Sequence, residues 1–193
     1  MARIIFMTHP GVVIEPAIPV PQWPLSDLGR ARMAAFAENL AGAGLTAVWT
    51  SDERKALDGG EILSARLRIP HRVDADLGEN DRSSTGYLEA NEFWSVVQVF
   101  FDHPDESVRG WETARHAQAR IVAAVNRVAD AQAGDIAIVS HGGVARLLTA
   151  HLQGVTIGAE GRPSNRHGGC FISFELHRPG SVTCWRDMED WSG

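Results

Sequence analysis

The chain has 193 residues, 44% of them hydrophobic and 22% charged, with 19 glycines and 9 prolines. That size and balance suit one globular domain and exclude a disordered, collagen-like or solenoid chain. Eighteen Lys and Arg against 24 Asp and Glu give a formal net charge of −6, which repels nucleic acid and anionic lipid and argues against either as a partner.

The apolar run at residues 4–7 follows the single charge of Arg3 and is too short for a signal-peptide core. No segment approaches the ~18 apolar residues of a membrane span, so a cytoplasmic location is expected. Cys170 and Cys184 form neither a disulfide framework nor a Cys-x-x-Cys site and read as buried fillers.

Residues 4–7 suit a strand buried on both faces, ending at His9. Pro10, Pro16, Pro19, Pro21 and Pro24 make the next stretch a surface loop. Ser26 is placed to cap a helix with the stripe Met33, Phe36, Ala37 and Leu40, stopped by Gly42 and Gly44. Residues 47–50 predict a second strand. Ser51-Asp52 reads as a capping pair for a helix facing inward through Ala56, Leu63 and Leu67. Gly59 and Gly60 lie inside it, at a propensity cost of about 1 kcal/mol each, so packing must hold it.

An extended stretch at 71–77 leads to a polar loop at 78–88 carrying Glu79, Asp81 and Arg82, then to a helix with Phe93, Val96, Val97 and Phe100 on one face. Ala114, Ala117, Ile121, Ala124, Val125 and Val128 trace the longest helix. The strand at 136–139 ends in Ser140-His141-Gly142-Gly143 and enters a helix with Val144, Leu147, Leu148 and Leu152 inward. Segments 171–176 and 182–185, joined through Pro179-Gly180, predict a closing hairpin. The alternation predicts an α/β three-layer sandwich, a central mostly parallel sheet with helices on both faces. It is expected as one domain over residues 1–193, with 78–110 inserted over the pocket. Trp94, Phe100 and Trp111 are expected to give that pocket apolar walls, and Trp185 and Trp191 would suit a dimer contact, leaving monomer or homodimer open.

His9 and His141 each follow an apolar strand. The carboxyl ends of parallel strands line the ligand crevice, so both imidazoles should project into one site. Gly42-Ala43-Gly44 follows a helix and precedes a strand, the reverse of a dinucleotide loop. Ser140 lacks the preceding glycine of a nucleophile elbow. A metal-dependent hydrolase using His9, His141, Glu79 and Asp81 is an alternative, although no His-x-His or His-Glu-x-x-His spacing supports it.

The ordered set of the strand ending in His9, Pro24-Leu25-Ser26-Asp27-Leu28-Gly29, Thr50-Ser51-Asp52-Glu53-Arg54-Lys55-Ala56, Leu77-Gly78-Glu79, Gly110-Trp111-Glu112-Thr113 and Val139-Ser140-His141-Gly142-Gly143 resembles the histidine phosphatase (phosphoglycerate mutase-like) superfamily. The resemblance covers roughly residues 3–176 and implies a phosphoglycerate mutase-like fold. It implies His9 as the nucleophile that becomes a phosphohistidine, His141 as a contact of the transferring phosphoryl group, and Glu79 as the acid and base for the leaving oxygen and water. It implies a small phosphorylated substrate and neither cofactor nor metal. Gly142 and Gly143 open a helix, so their N–H groups should face the anion.

The first motif departs from the family's Arg-His-Gly, reading Thr8-His9-Pro10, and the second family arginine falls on Lys55, with Arg54 next to it. Thr8, Lys55, Arg54 and Gly142 are the phosphate-binding residues expected at these positions, and lysine cannot offer the two-pronged fit of a guanidinium. At roughly 1.5–3 kcal/mol per lost charged hydrogen bond, the two changes remove about two to four decades of rate. Compensation is expected from Arg166 or His167 in the late segment 162–169. The expected function is a phosphohydrolase acting on a small phosphomonoester through a phosphohistidine. The alternative is a degenerate member that binds a phosphorylated or anionic ligand without turnover.

Overall fold

The computed structural model describes residues 2–161, 168–176, 178 and 180–192. Arg166 and His167, the expected compensating groups, lie outside the described residues. In chain order the strands are β1 (Arg3–Thr8), β2 (Ala47–Thr50), β3 (His71–Val73), β4 (Ile136–Ser140), β5 (Cys170–Glu175) and β6 (Arg186–Asp187). The helices are α1 (Asp27–Asn39), α2 (Arg54–Leu67), α3 (Ala90–Asp102), α4 (Ala114–Asp130) and α5 (Gly142–Gln153). Among the described residues the sheet has the order β3-β2-β4-β1-β5-β6; β3, β2, β4 and β1 are parallel, β5 runs antiparallel to β1, and β6 runs antiparallel to β5.

Side-chain alternation along β1 explains the layers. Ile5 and Met7 pack with Met33 and Phe36 of α1 and Leu63 of α2. Ile4 and Phe6 pack with Ile121 and Val125 of α4 and Leu147 and Leu148 of α5. Both halves are fully buried, which is why β1 reads as a continuous apolar run. Ser26 caps α1 as expected, its Oγ accepting from Gly29 N at 3.1 Å.

The two glycines inside α2 are explained by close approach. A Cβ on Gly60 would stand 2.3 Å from Thr50 Cγ2 and 2.6 Å from His71 Nε2, and one on Gly59 would stand 2.9 Å from Met33 Cε. Their absent side chains let α2 lie close against β2, β3 and α1.

Three expectations about the periphery are corrected. Residues 182–185 are not a strand; β6 starts at Arg186, because the hydroxyls of Thr183 and Ser181 bond the backbone of Ser173 and Glu175 where a second strand would complete the ladder. Cys184 is exposed, and only Cys170 is buried. Phe100 and Trp111 belong to the core rather than to a pocket wall, and Trp94 is exposed. Trp191 stacks within the chain on Phe36 and Phe171, and Trp185 packs against the core, each of them half-buried. No helix among the described residues is long and apolar enough to cross a membrane.

Candidate active site

Register brings the two histidines together. β1 and β4 are parallel neighbours with Thr8 opposite Ser140, and His9 N donates to Ser140 O at 2.9 Å, so the next residues of both strands emerge side by side. Their ring centroids are 5.2 Å apart in an edge-to-face arrangement. Strand β2 flanks β4 on its other side, with Thr50 opposite Val139, and delivers Ser51 within 2.7 Å of His141 Nε2.

His9 Nδ1 lies 2.9 Å from Pro10 O. A carbonyl oxygen can only accept, so Nδ1 carries the proton and neutral His9 keeps its lone pair on Nε2. Burial, and next the charge of Lys55, pull His9 from the ordinary 6.5 down to about 4, against the opposing pull of the Pro10 carbonyl and Glu53. Burial likewise holds His141 well below 6.5. Both rings are therefore neutral near pH 7.

Glu79 arrives on the turn after Leu77, and its position is over-determined. Its carboxylate accepts from Gly143 N and Val144 N, each at 3.0 Å, at the N-terminus of α5. A Cβ on Gly143 would stand 2.6 Å from Glu79 Oε1, so only glycine admits this contact. Of the amides expected to face a bound anion, that of Gly143 holds Glu79 instead, as does that of Val144, while Gly142 is exposed. Arg120 of α4 fixes the same turn from behind, donating to Asp76 O, Gly78 O and Glu79 O. It is anchored in turn by both oxygens of the Glu112 carboxylate.

Lys55 is buried, with its ammonium bonded to the Glu53 carboxylate and to Val20 O at 2.9 Å. Glu53 also lies 3.4 Å from His141 Nε2 and accepts Glu79 N at 2.9 Å. Burial pushes its carboxyl up; Lys55, the Glu79 N–H and His141 when protonated outweigh this and bring it to about 2. Glu53, not Ser51 or Asp52, stands at the start of α2, and its side chain makes no cap.

Two expected phosphate ligands are elsewhere. Thr8 is buried against β5, exchanging hydrogen bonds with Cys170 N and O, because the antiparallel register that sets Met7 opposite Phe171 brings Thr8 beside Cys170. Arg54 points to Asp58, where it shares a carboxylate with Arg30, because a residue one position from Lys55 projects about 100° around the helix. Asp81 is exposed and turned to Ser83 N, and among the described residues no three His, Cys, Asp or Glu side chains converge as metal ligands.

A cleft of about 740 Å³ opens beside the cluster, lined by Glu53 and Glu79 together with Asp81, Arg82, Glu112 and Arg120. Its walls set these charged side chains among apolar surface from Pro19, Val20, Pro21 and Ala75, and none of the expected aromatic residues lines it. Sequence reasoning missed the functional placement of Ser51, Glu53, Glu112 and Arg120. Glu53 and Glu112 do stand within the short motifs, while Arg120 looks like any polar residue of an amphipathic helix.

A family profile described as histidine phosphatase superfamily (branch 1) matches residues 20–183. The chain belongs to that superfamily. By fold it is similar to Bacillus stearothermophilus YhfR, with TM-score 0.77, 20% identity and 95% of each chain covered. It is also similar to a mycobacterial glucosyl-3-phosphoglycerate phosphatase complexed with VO3, with TM-score 0.76, 21% identity, 96% of this chain and 97% of that one. A putative alpha-ribazole-5'-P phosphatase from Escherichia coli follows at TM-score 0.72 and 18% identity, with 95% and 94% covered. A search of curated proteins finds no significant match. Family membership makes the chain a phosphatase of the histidine phosphatase type.

Proposed function

We propose that the chain hydrolyses a small phosphomonoester, with His9 Nε2 attacking phosphorus in line, His141 contacting the phosphoryl oxygens and Glu79 handling the proton of the leaving oxygen and then of water. The observation that carries this reading is the fixed tautomer of His9. With Nδ1–H given to Pro10 O, the free lone pair is on the other nitrogen, and a ring titrating near 4 is an unprotonated nucleophile throughout the neutral range. In the first step the Nε2–P bond forms as the ester P–O bond breaks, and the alkoxide takes a proton. In the second, water attacks the phosphohistidine, returning His9 and releasing phosphate. The compounds named for the mycobacterial and Escherichia coli relatives are phosphate esters of small hydroxylated molecules, and a substrate of that class suits a cleft that carries charged side chains between apolar walls.

One observation favours a binder without turnover. Lys55 is already neutralised by Glu53 and Thr8 faces away, so among the described residues of the cleft the cation left without a carboxylate partner is Arg82, which lies over the Phe93 ring. An aryl phosphate assay, run with and without chelator beside His9→Ala, separates the readings. The phosphohistidine route predicts chelator-resistant turnover that falls at least about a thousandfold in the variant. Absence of turnover across a broad ester panel favours the binder, and loss of activity with chelator favours a metal-dependent hydrolase.

A further inference from the structure

Glu53 is a carboxylate in a place where a phosphatase needs cations. It touches the ammonium of Lys55, stands 3.4 Å from His141 Nε2 and accepts the backbone N–H of Glu79, linking the three groups around which the phosphoryl transfer is proposed. Its side chain is only 11% exposed. An acidic residue at a helix start commonly caps the helix, yet this side chain is directed to the cluster instead.

The charges facing Glu53 can be named element by element. The turn into α2 contributes Lys55 and the exposed Asp52, while Arg54 is engaged by Asp58. The ends of β1 and β4 contribute the neutral rings of His9 and His141. The turn after Leu77 contributes Glu79, Asp81 and Arg82, and α4 contributes Arg120, Glu112 and His116. With His9 and His141 neutral, Lys55, Arg82 and Arg120 stand against Asp52, Glu79, Asp81, Glu112 and Glu53 itself. A phosphoryl oxygen in contact with the His141 ring, whose Nε2 meets Ser51 Oγ at 2.7 Å and lies 3.4 Å from Glu53, stands within roughly two hydrogen-bond lengths of that carboxylate. A second negative charge there is opposed by Glu53, and Lys55 is no longer free to offset it.

We propose that Glu53 is a specificity-determining residue that sets the charge of the bound phosphoryl group, so that the site takes its phosphomonoester in the singly charged, protonated form and rejects the doubly charged one. This rests on the phosphatase reading and narrows it to a substrate charge state. Glu53 titrates near 2, so it is ionised throughout the working range, and the pH dependence of binding comes from the ligand.

Inorganic phosphate titrated calorimetrically into the protein tests the proposal at about pH 5.5, where most of the ligand is singly charged, and about pH 8, where most is doubly charged. The wild type should bind about tenfold or more weakly at the higher pH, and Glu53→Gln should recover most of that loss by gaining affinity at pH 8. Sulfate, doubly charged at both pH values, should bind the wild type weakly and equally, which needs no variant and so survives a failure of Glu53→Gln to fold. The proposal is overturned if wild-type affinity for phosphate is the same at both pH values, if sulfate follows the pH dependence of phosphate, or if a folded Glu53→Gln gains less than about twofold at pH 8. Aryl phosphate turnover measured on the same samples keeps the two readings apart. Tighter phosphate binding by Glu53→Gln with no turnover in either protein sinks the phosphatase and retains the charge rule. Turnover by the wild type with unchanged phosphate affinity in the variant does the reverse.

Discussion

Arg120→Ala is the most informative substitution outside the histidines, because one side chain holds the turn bearing Glu79. The guanidinium grips the Glu112 carboxylate with two bonds of 2.8 and 3.0 Å and three backbone carbonyls at 2.7 to 3.0 Å. The pair is largely buried, at 18% and 8% exposure. Breaking such a pair by removing one partner is worth about 3–5 kcal/mol. Glu112 keeps His116 Nδ1 and Asp81 N, which places the loss at the lower end, about 3 kcal/mol. For a chain of this size that lowers Tm by about 6–12 °C. With Gly78 O and Glu79 O released, Glu79 loses its support from behind while keeping Gly143 N and Val144 N. Turnover should then fall about tenfold or more with a smaller change in KM. Arg120→Lys should restore little of either, since an ammonium cannot span a carboxylate and three carbonyls. Differential scanning calorimetry and steady-state kinetics decide the matter. A Tm within about 2 °C of wild type, or a destabilised protein with unchanged kcat, would refute the clamp.

Acid should destabilise the fold early. His9 titrates lower folded than unfolded, so between pH 6.5 and about 4 the unfolded chain binds more protons and stability falls as pH drops, by about 3 kcal/mol for His9 alone, with His141 acting in the same direction. Urea titrations of wild type and His9→Asn over that window should show a shallower dependence in the variant, and equal slopes would contradict the burial argument. Gly60→Ala should destabilise by about 1–3 kcal/mol despite alanine's better helix propensity, because its Cβ meets Thr50 and His71; a raised Tm would show that α2 simply shifts. In the native protein iodoacetamide should label Cys184 rapidly and Cys170 only after denaturation, and equal labelling by mass spectrometry would contradict the burial of Cys170.

Periodicity and strand-end position made the strand–helix alternation, the inward faces of α1, α4 and α5, and the pairing of His9 with His141 readable from the chain alone. These depend on local spacing and on the rule that parallel strands open their carboxyl ends to one crevice. Glu79 was reachable only through its motif, since a glutamate in a polar loop carries no periodic signal. The partners of each charge were not readable at all. That Lys55 is cancelled by Glu53, that Thr8 faces β5, that Arg54 serves Asp58 and that Arg120 clamps Glu79 across 41 residues are facts of three-dimensional proximity. One step along a strand or helix redirects a side chain entirely, and electrostatics within a few ångströms follows that direction. Composition and motif therefore determined the fold and the class of chemistry, while the charge the site presents to a phosphate was decided by tertiary packing.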